Sequence, residues 1–399
     1  MVKMEYAYTR ADGASSVYKD NKRHLWLITP LANYAIPFIA MYMYVTQGQN
    51  LFWILVLPIY FYLVIPALDW LLGEDRFNPP DEVVPALSAD NYYRVVAWVS
   101  IPFFYAIYIT GMWFVMTQSM PLWAQLVFVL GIGLVNGNAN TIGHELGHKP
   151  NKLDQIGSQL ALISIGNGHF AAEHNLHHHV KVSTPEDCSS SRMGESLYAF
   201  ALRDMPGAVR GAWAIETKRL ARAGKKAVSF HNRLLLSWGA SIAIALALAL
   251  WLGWAVLPFI LLYKFQAVFV LTLANYVEHY GLLRQKLENG RYEPCAPRHS
   301  WNTNHIFSNL STIHLQRHSD HHANPMRPYQ ALRNFEGLPE LPSGYPGCFG
   351  LAHFPPLWFK VMDPRVMDWA KGDITKVNID PRREAALHEK YGAQNDSFA

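Results

Sequence analysis

Apolar residues in this chain are bunched into long blocks rather than spread at regular intervals. Three stretches are almost free of lysine and arginine: Leu25 to Gly73, Val95 to His148, and Leu234 to Leu283, where Lys264 is the sole basic residue. Each is about fifty residues, enough for two helices of roughly 20 residues crossing a ~30 Å hydrocarbon core. The pattern therefore predicts six transmembrane helices in three hairpins, with uncharged tips near 46–50 (TQGQN), 117–121 (TQSMP) and 253–257 (GWAVL). Nearly all lysine and arginine fall in the N-terminal tail, the 74–94 connection, the 149–233 segment and the chain after Leu283. The positive-inside rule assigns those four regions to the cytoplasm.

The expected fold is all-α, a six-helix membrane bundle with a cytoplasmic cap. Its parts would be a tail at 1–24, a membrane domain at 25–283 that includes the cytoplasmic insert 149–233, and a cap and tail at 284–399. Buried core helices of a large soluble protein are the alternative, but such helices seldom come in pairs so long and so poor in charge. Residues 337–347 (GLPELPSGYPG) read as an ordered loop, and the last thirty residues as a solvated tail.

Composition narrows the class. The 399 residues are 51% hydrophobic and 13% aromatic, unlike an ordinary pair of soluble domains. A net charge of +4, with no basic run interleaved with aromatics, argues against nucleic acid as a partner. Cys188, Cys295 and Cys348 form no C-x-x-C pair, which argues against a disulfide framework or a thiolate metal site. The first 24 residues are polar and of mixed charge, so the first apolar block is expected to be an uncleaved span.

The candidate chemistry lies in the histidines. Of 18, most lie between His144 and His322, and several stand at helical spacing. His144 and His148 are four apart in HELGH; His174, His178 and His179 fall in EHNLHHH; His318, His321 and His322 fall in RHSDHH. Residues three or four apart share a helix face, so each cluster can aim two or three imidazoles at one point. His279 lies at the cytoplasmic end of the sixth predicted span. So many buried imidazoles without a metal would leave ring nitrogens without partners, at a cost for each. Imidazole suits iron, zinc, copper and nickel alike, so the ligands alone do not name the metal. His144-Glu145-x-x-His148 also fits the H-E-x-x-H pattern of zinc proteases, but that reading gives the other clusters no role.

These clusters resemble those of the integral-membrane fatty-acid desaturase and hydroxylase superfamily. NTIGHELGHK, SRMGESLYAF, NYVEHYGLLRQKLENGRYE, HSWNTNHIFSNL and LQRHSDHHANPMRPYQALR narrow the resemblance to the alkane 1-monooxygenase family, over about Lys22 to Trp369. The resemblance implies two non-haem iron ions held by His144, His148, His174, His178, His179, His279, His318, His321 and His322. His177 stands where the family usually has glycine, so spacing leaves the pairs His177–His178 and His178–His179 both open; the family's register favours the second. Carboxylates at Glu145, Glu173, Asp187, Glu278 and Asp320 adjoin the clusters and are candidates to orient the ligands, with Glu278 and Asp187 foremost and the candidates for a catalytic part.

An unactivated terminal C–H bond has no acidic proton, so a redox metal and O2 are required rather than acid–base chemistry. The implied activity is hydroxylation of medium-chain n-alkanes to 1-alkanols in a bacterial inner membrane. A desaturase or a xylene-type monooxygenase is the alternative within the superfamily. For the substrate, Asp69 is the one charged residue within the first hairpin, and Ile65 and Phe61 share its helix face, so Phe61, Ile65 and Asp69 are candidates to line a channel. The chain has no flavin or dinucleotide fingerprint and too few cysteines for a four-thiolate iron site. Electrons are therefore expected from another protein or domain. The resemblance implies rubredoxin, separate or fused, fed by a reductase and docking on a basic face near Lys149, Arg192 and Arg203.

Overall fold

A computed structural model describes residues 4–392. Among them, six helices are long and apolar enough to cross a membrane: Leu25–Thr46, Phe52–Leu72, Asn91–Thr117, Leu122–Gly147, Arg233–Leu252 and Trp254–His279. The first two expected hairpin tips fall at breaks between paired spans; at the third only Gly253 separates the spans, and Trp254 already begins the sixth with a 3-10 turn. Pairing of the spans puts the residues before the first, those after the sixth and the two long connections at one end of the bundle, the cap end.

The fourth span is the axis of the bundle and packs against the second, third and sixth. Glycines make that approach possible. A Cβ on Gly133 would lie 2.8 Å from Cβ of Gln266, and one on Gly137 would lie 2.6 Å from Cβ of Val270, both on the sixth span. Two glycines four apart on one face are the small-residue stripe that lets membrane helices close without side chains between them. The fourth span continues from that contact to His144 and ends beside His148, so the stripe sets where both rings point. In the second span Pro58 cannot donate a backbone hydrogen bond, and a wide π-turn over Tyr60–Val64 follows it.

The cap is assembled from the connections. Helix Lys152–Ile165, a helix over 170–181 and helix Leu197–Arg222 form the segment between the fourth and fifth spans. Beyond the sixth span, Trp301 donates from its backbone N–H to Glu278 O and from Nε1 to Tyr280 O, which pins the returning chain to the span's end. Arg317, buried, caps helix His318–Ala323; its guanidinium donates to the carbonyls of Leu332 at 2.8 Å and Asp75 at 2.6 Å. It thereby ties the third histidine cluster to the connection after the second span.

Three expectations change. Residues 1–24 are more than a tail: strands Glu5–Thr9 and Ser15–Lys19 pair antiparallel, and buried Tyr6 donates to Asp90 at 2.7 Å before the third span. The end of the chain is not solvated throughout. Asn378 donates its backbone N–H to Gly281 O, and helix Glu384–Gly392 buries Leu387 and Tyr391; residues 393–399 lie outside the described part. The segment 337–347 is irregular only in its first part, because Tyr345 begins helix Tyr345–Ala352, with Pro346 in its first turn where no N–H is needed.

Candidate metal centre

The nine histidines singled out in the sequence converge at the cap end as two groups. His144, His148, His174, His179 and His321 form one, and His178, His279, His318 and His322 the other; within each, the ligand atoms lie within 4.8 Å of one another. The groups adjoin: the ring centres of His179 and His322 are 4.5 Å apart, and those of His174 and His178 are 5.2 Å apart.

Local backbone explains the division. His174–His178 is a π-turn, wider than an α-turn, so His179 swings under His174 with their Nε2 atoms 3.0 Å apart while His178 turns to the second group. Helix His318–Ala323 straddles the two: His318 and His322, one turn apart, serve the second group, and His321 reaches His179 at 3.1 Å in the first. Span four supplies only the first group, and span six supplies His279 only to the second.

The arrangement fits bound cations. Nε2 of His144, His148, His178 and His279 has no hydrogen-bond partner although buried. Nε2 of His179 lies 3.0 Å from that of His174 and 3.1 Å from that of His321. One ring nitrogen offers one proton or one lone pair, so three rings meeting this way cannot all be satisfied by one another. A cation among them satisfies all three. Burial and neighbouring imidazoles hold His174, His318, His321 and His322 neutral, with pKa values well below the usual histidine range. Burial likewise brings His148 to about 4 and His179 to about 2. Their lone pairs are thus free for metal at neutral pH. His178 is the exception: burial opposes its charge, but Asp187, at 2.9 Å from Nδ1, outweighs burial and raises its pKa to about 9. The contact holds a proton on Nδ1, so a metal at Nε2 would displace the ring's other proton.

The carboxylates differ in what they touch. Asp187 also accepts from Ser190 Oγ at 2.7 Å. Glu278 accepts from Tyr345 Oη at 2.6 Å and lies 3.2 Å from His318 Nε2. Asp320 accepts from Asn324 Nδ2 and from Arg333 N and so shapes the following loop. Glu145 pairs with Lys149 at 2.7 Å and faces a separate cleft with Asp154 and Tyr329, away from the position of a protease general base. Glu173 pairs with His177, which belongs to neither histidine group.

A cavity of mostly apolar walls meets the groups. Its lining includes His144, His174, His318 and Glu278 together with Phe61, Ile65, Leu134, Val135, Val270, Leu271 and Phe349. Phe61 lies roughly 16 Å from the cap end of the second span, at 1.5 Å per helical residue. Asp69 is placed elsewhere. It is buried, accepts from Ser308 N at 2.9 Å and does not line the cavity, so it joins the second span to the cap. Two of the expected basic docking residues are engaged within the protein: Lys149 pairs with Glu145, and Arg203 donates to Glu195 at 2.7 Å and to the carbonyls of Asp187, Cys188 and Ser190. Arg192 donates to the carbonyl of Pro185. Two residues at the site were missed by sequence reasoning: Tyr345 and Phe170, whose ring lies 4.9 Å from that of His174. Neither sits in a spacing pattern that marks it.

The fatty acid desaturase family model matches residues 121–350, which span the fourth helix, all nine histidines and the start of helix Tyr345–Ala352. The chain belongs to that class of membrane proteins. Within it, the chain is 46% identical to alkane 1-monooxygenase 1 of Alcanivorax borkumensis over 96% of this chain and 95% of that one. It is 45% identical to alkane 1-monooxygenase of Ectopseudomonas oleovorans over 95% and 94%. The xylene/toluene monooxygenase hydroxylase component of Pseudomonas putida matches at 27% over 57% and 60%. The chain is a member of the alkane 1-monooxygenase family.

Proposed function

We propose that this enzyme hydroxylates the terminal carbon of medium-chain n-alkanes with two non-haem iron ions, one in each histidine group. Electrons come from rubredoxin, fed by an NAD(P)H-dependent reductase, and the site faces the cytoplasm of a bacterial inner membrane. The observation that carries this reading is the junction of an apolar cavity with two adjoining groups of buried imidazoles. Bound iron would supply the redox chemistry that activates O2 toward a C–H bond with no polar handle.

The residues of the chain do the rest. The cavity walls exclude water and hold an alkane by apolar contact alone, worth roughly 0.8 kcal/mol per buried methylene. Phe61 and Ile65 shape the far part of that space, and His144, His174 and His318 stand where the substrate end must arrive. Asp187 holds the Nδ1 proton of His178, and Glu278, held by Tyr345, stands at the same Nε2 of His318 that meets His322, placing a carboxylate beside the metal position. Alkane, O2, two electrons and two protons give 1-alkanol and water.

The electron source is tested with purified, iron-loaded protein given octane and O2. Chemical pre-reduction yields at most a stoichiometric amount of octanol, and repeated turnover requires rubredoxin and its reductase. Sustained turnover with NAD(P)H alone contradicts the assignment.

A further inference from the structure

Next to the histidine groups lies a third set of donors that they do not use. Glu173, His177, Asp187 and Cys188 each offer a ligand atom within 4.8 Å of the others. We propose that Glu173, His177 and Cys188 bind a zinc ion, with an Asp187 oxygen or a water completing the tetrahedron.

Two of the spacings between these donors can be set against the edges of a zinc tetrahedron. Bonds of ~2.0 Å to oxygen and nitrogen and ~2.3 Å to sulfur set ligand edges of about 3.3 Å and about 3.5 Å. Nδ1 of His177 is 3.2 Å from Oε1 of Glu173, and Sγ of Cys188 is 3.9 Å from the same oxygen. Both other donors thus converge on one carboxylate oxygen, at spacings within a few tenths of an ångström of those edges. Glu173 and His177 are one turn apart on one segment, and Cys188 arrives from the loop after it; the cysteine spacing that argued against a thiolate site does not see such a pairing.

The facing helix packs closely on the set. On Leu197–Arg222, Gly207 and Gly211 stand one turn apart over it. A Cβ on Gly207 would come within 2.6 Å of Cys188 Cβ and 2.9 Å of its sulfur, and one on Gly211 within 3.7 Å of Glu173 Cγ and 3.9 Å of His177. Glycine inside a helix costs stability relative to alanine, and at Gly207 it lets the helix close against Cys188 and hold that residue beside Glu173.

The donor set selects the metal. One thiolate, one imidazole and one carboxylate form a mixed soft and hard set that suits zinc, and their two negative charges match its +2. Binding releases the Cys188 thiol proton to water, and no electron moves. Asp187 joins this site to the other chemistry, because its Oδ2 is held by His178 Nδ1. A zinc ion here would adjoin the second histidine group without itself holding any of its ligands.

The test uses the full-length, iron-loaded protein exposed to zinc and dialysed. Metal analysis should find close to one zinc per chain in addition to the iron, and zinc-edge X-ray absorption should show one sulfur neighbour at ~2.3 Å. In Cys188→Ala the sulfur signal should vanish and zinc should fall by close to one equivalent with iron unchanged; His177→Gly should also lose zinc. Zinc that stays substoichiometric, that shows no sulfur neighbour, or that rises only as iron falls overturns the proposal. Should either variant fail to fold, the sulfur signal of the unaltered protein decides alone. It also separates this site from zinc occupying the histidine groups, which contain no sulfur.

Discussion

Replacing Asp187 by asparagine probes how the second histidine group is held. The Asp187 carboxylate is fully buried and receives three bonds: from His178 Nδ1 at 2.9 Å, Ser190 Oγ at 2.7 Å and Ser189 N at 3.2 Å. In Asp187→Asn one acceptor oxygen becomes an NH2 donor. Whichever way the amide turns, a donor faces a donor. If it faces Nδ1 of His178, the ring shifts its proton to Nε2 and the lone pair leaves the metal. Loss of such an orienting partner typically lowers metal affinity 10–100-fold, about 1.4–2.8 kcal/mol. The loss should fall on the group of four histidines and spare the group of five, where Asp187 touches no ring. The assay is iron retained per chain along a chelator titration, with circular dichroism to confirm folding. The variant should step to one iron at chelator concentrations where the parent keeps two. Ser190→Ala, which preserves the charge, should change little. A folded Asp187→Asn protein that keeps both irons as tightly as the parent refutes the reasoning.

Other perturbations follow from the same geometry. Gly137→Val places branched carbon against Val270, an overpacking expected to cost about 1–3 kcal/mol and to lower both melting temperature and iron content; unchanged values would show that the fourth and sixth spans part without consequence. Phe61→Leu should move chain-length preference toward longer alkanes, with up to roughly fourfold in kcat/KM for each added methylene that becomes buried. An unchanged profile in the folded variant removes Phe61 from the channel. Asp363 is buried beside Tyr280 Oη, and burial raises its pKa to about 6. Its folded pKa exceeds its unfolded value of 3.8, so it favours the fold below pH 3.8 and that contribution is lost as pH rises through about 6. Stability of the parent minus that of Asp363→Asn should therefore fall across that window, and a flat difference contradicts the assignment.

The spans were legible because absence of charge over about fifty residues has few physical explanations. The nine histidines were legible as clusters, and the resemblance fixed their register, but their division between two groups was not. It depends on the π-turn at His174–His178, a change of hydrogen-bond register that leaves no mark in residue spacing. The N-terminal hairpin was missed although ADG in its turn is a turn signal, because its strands are only five residues each and lie among charges. Asp69 shows the opposite failure. An acid within a span was expected to face the bundle interior and there line the channel; it does face inward, but toward the cap at Ser308 and not toward the cavity. A helical face predicts which residues look inward, and only the packed partner says what they meet.

The central claim is that the cavity and the paired histidine groups insert one oxygen atom from O2 into a terminal C–H bond. Iron-loaded enzyme with reductant, octane and 18O2 tests it, with products resolved by mass spectrometry. The product should be 1-octanol carrying one 18O atom. Octene, a mixture dominated by internal octanols, or octanol labelled from water instead of from O2 would contradict it.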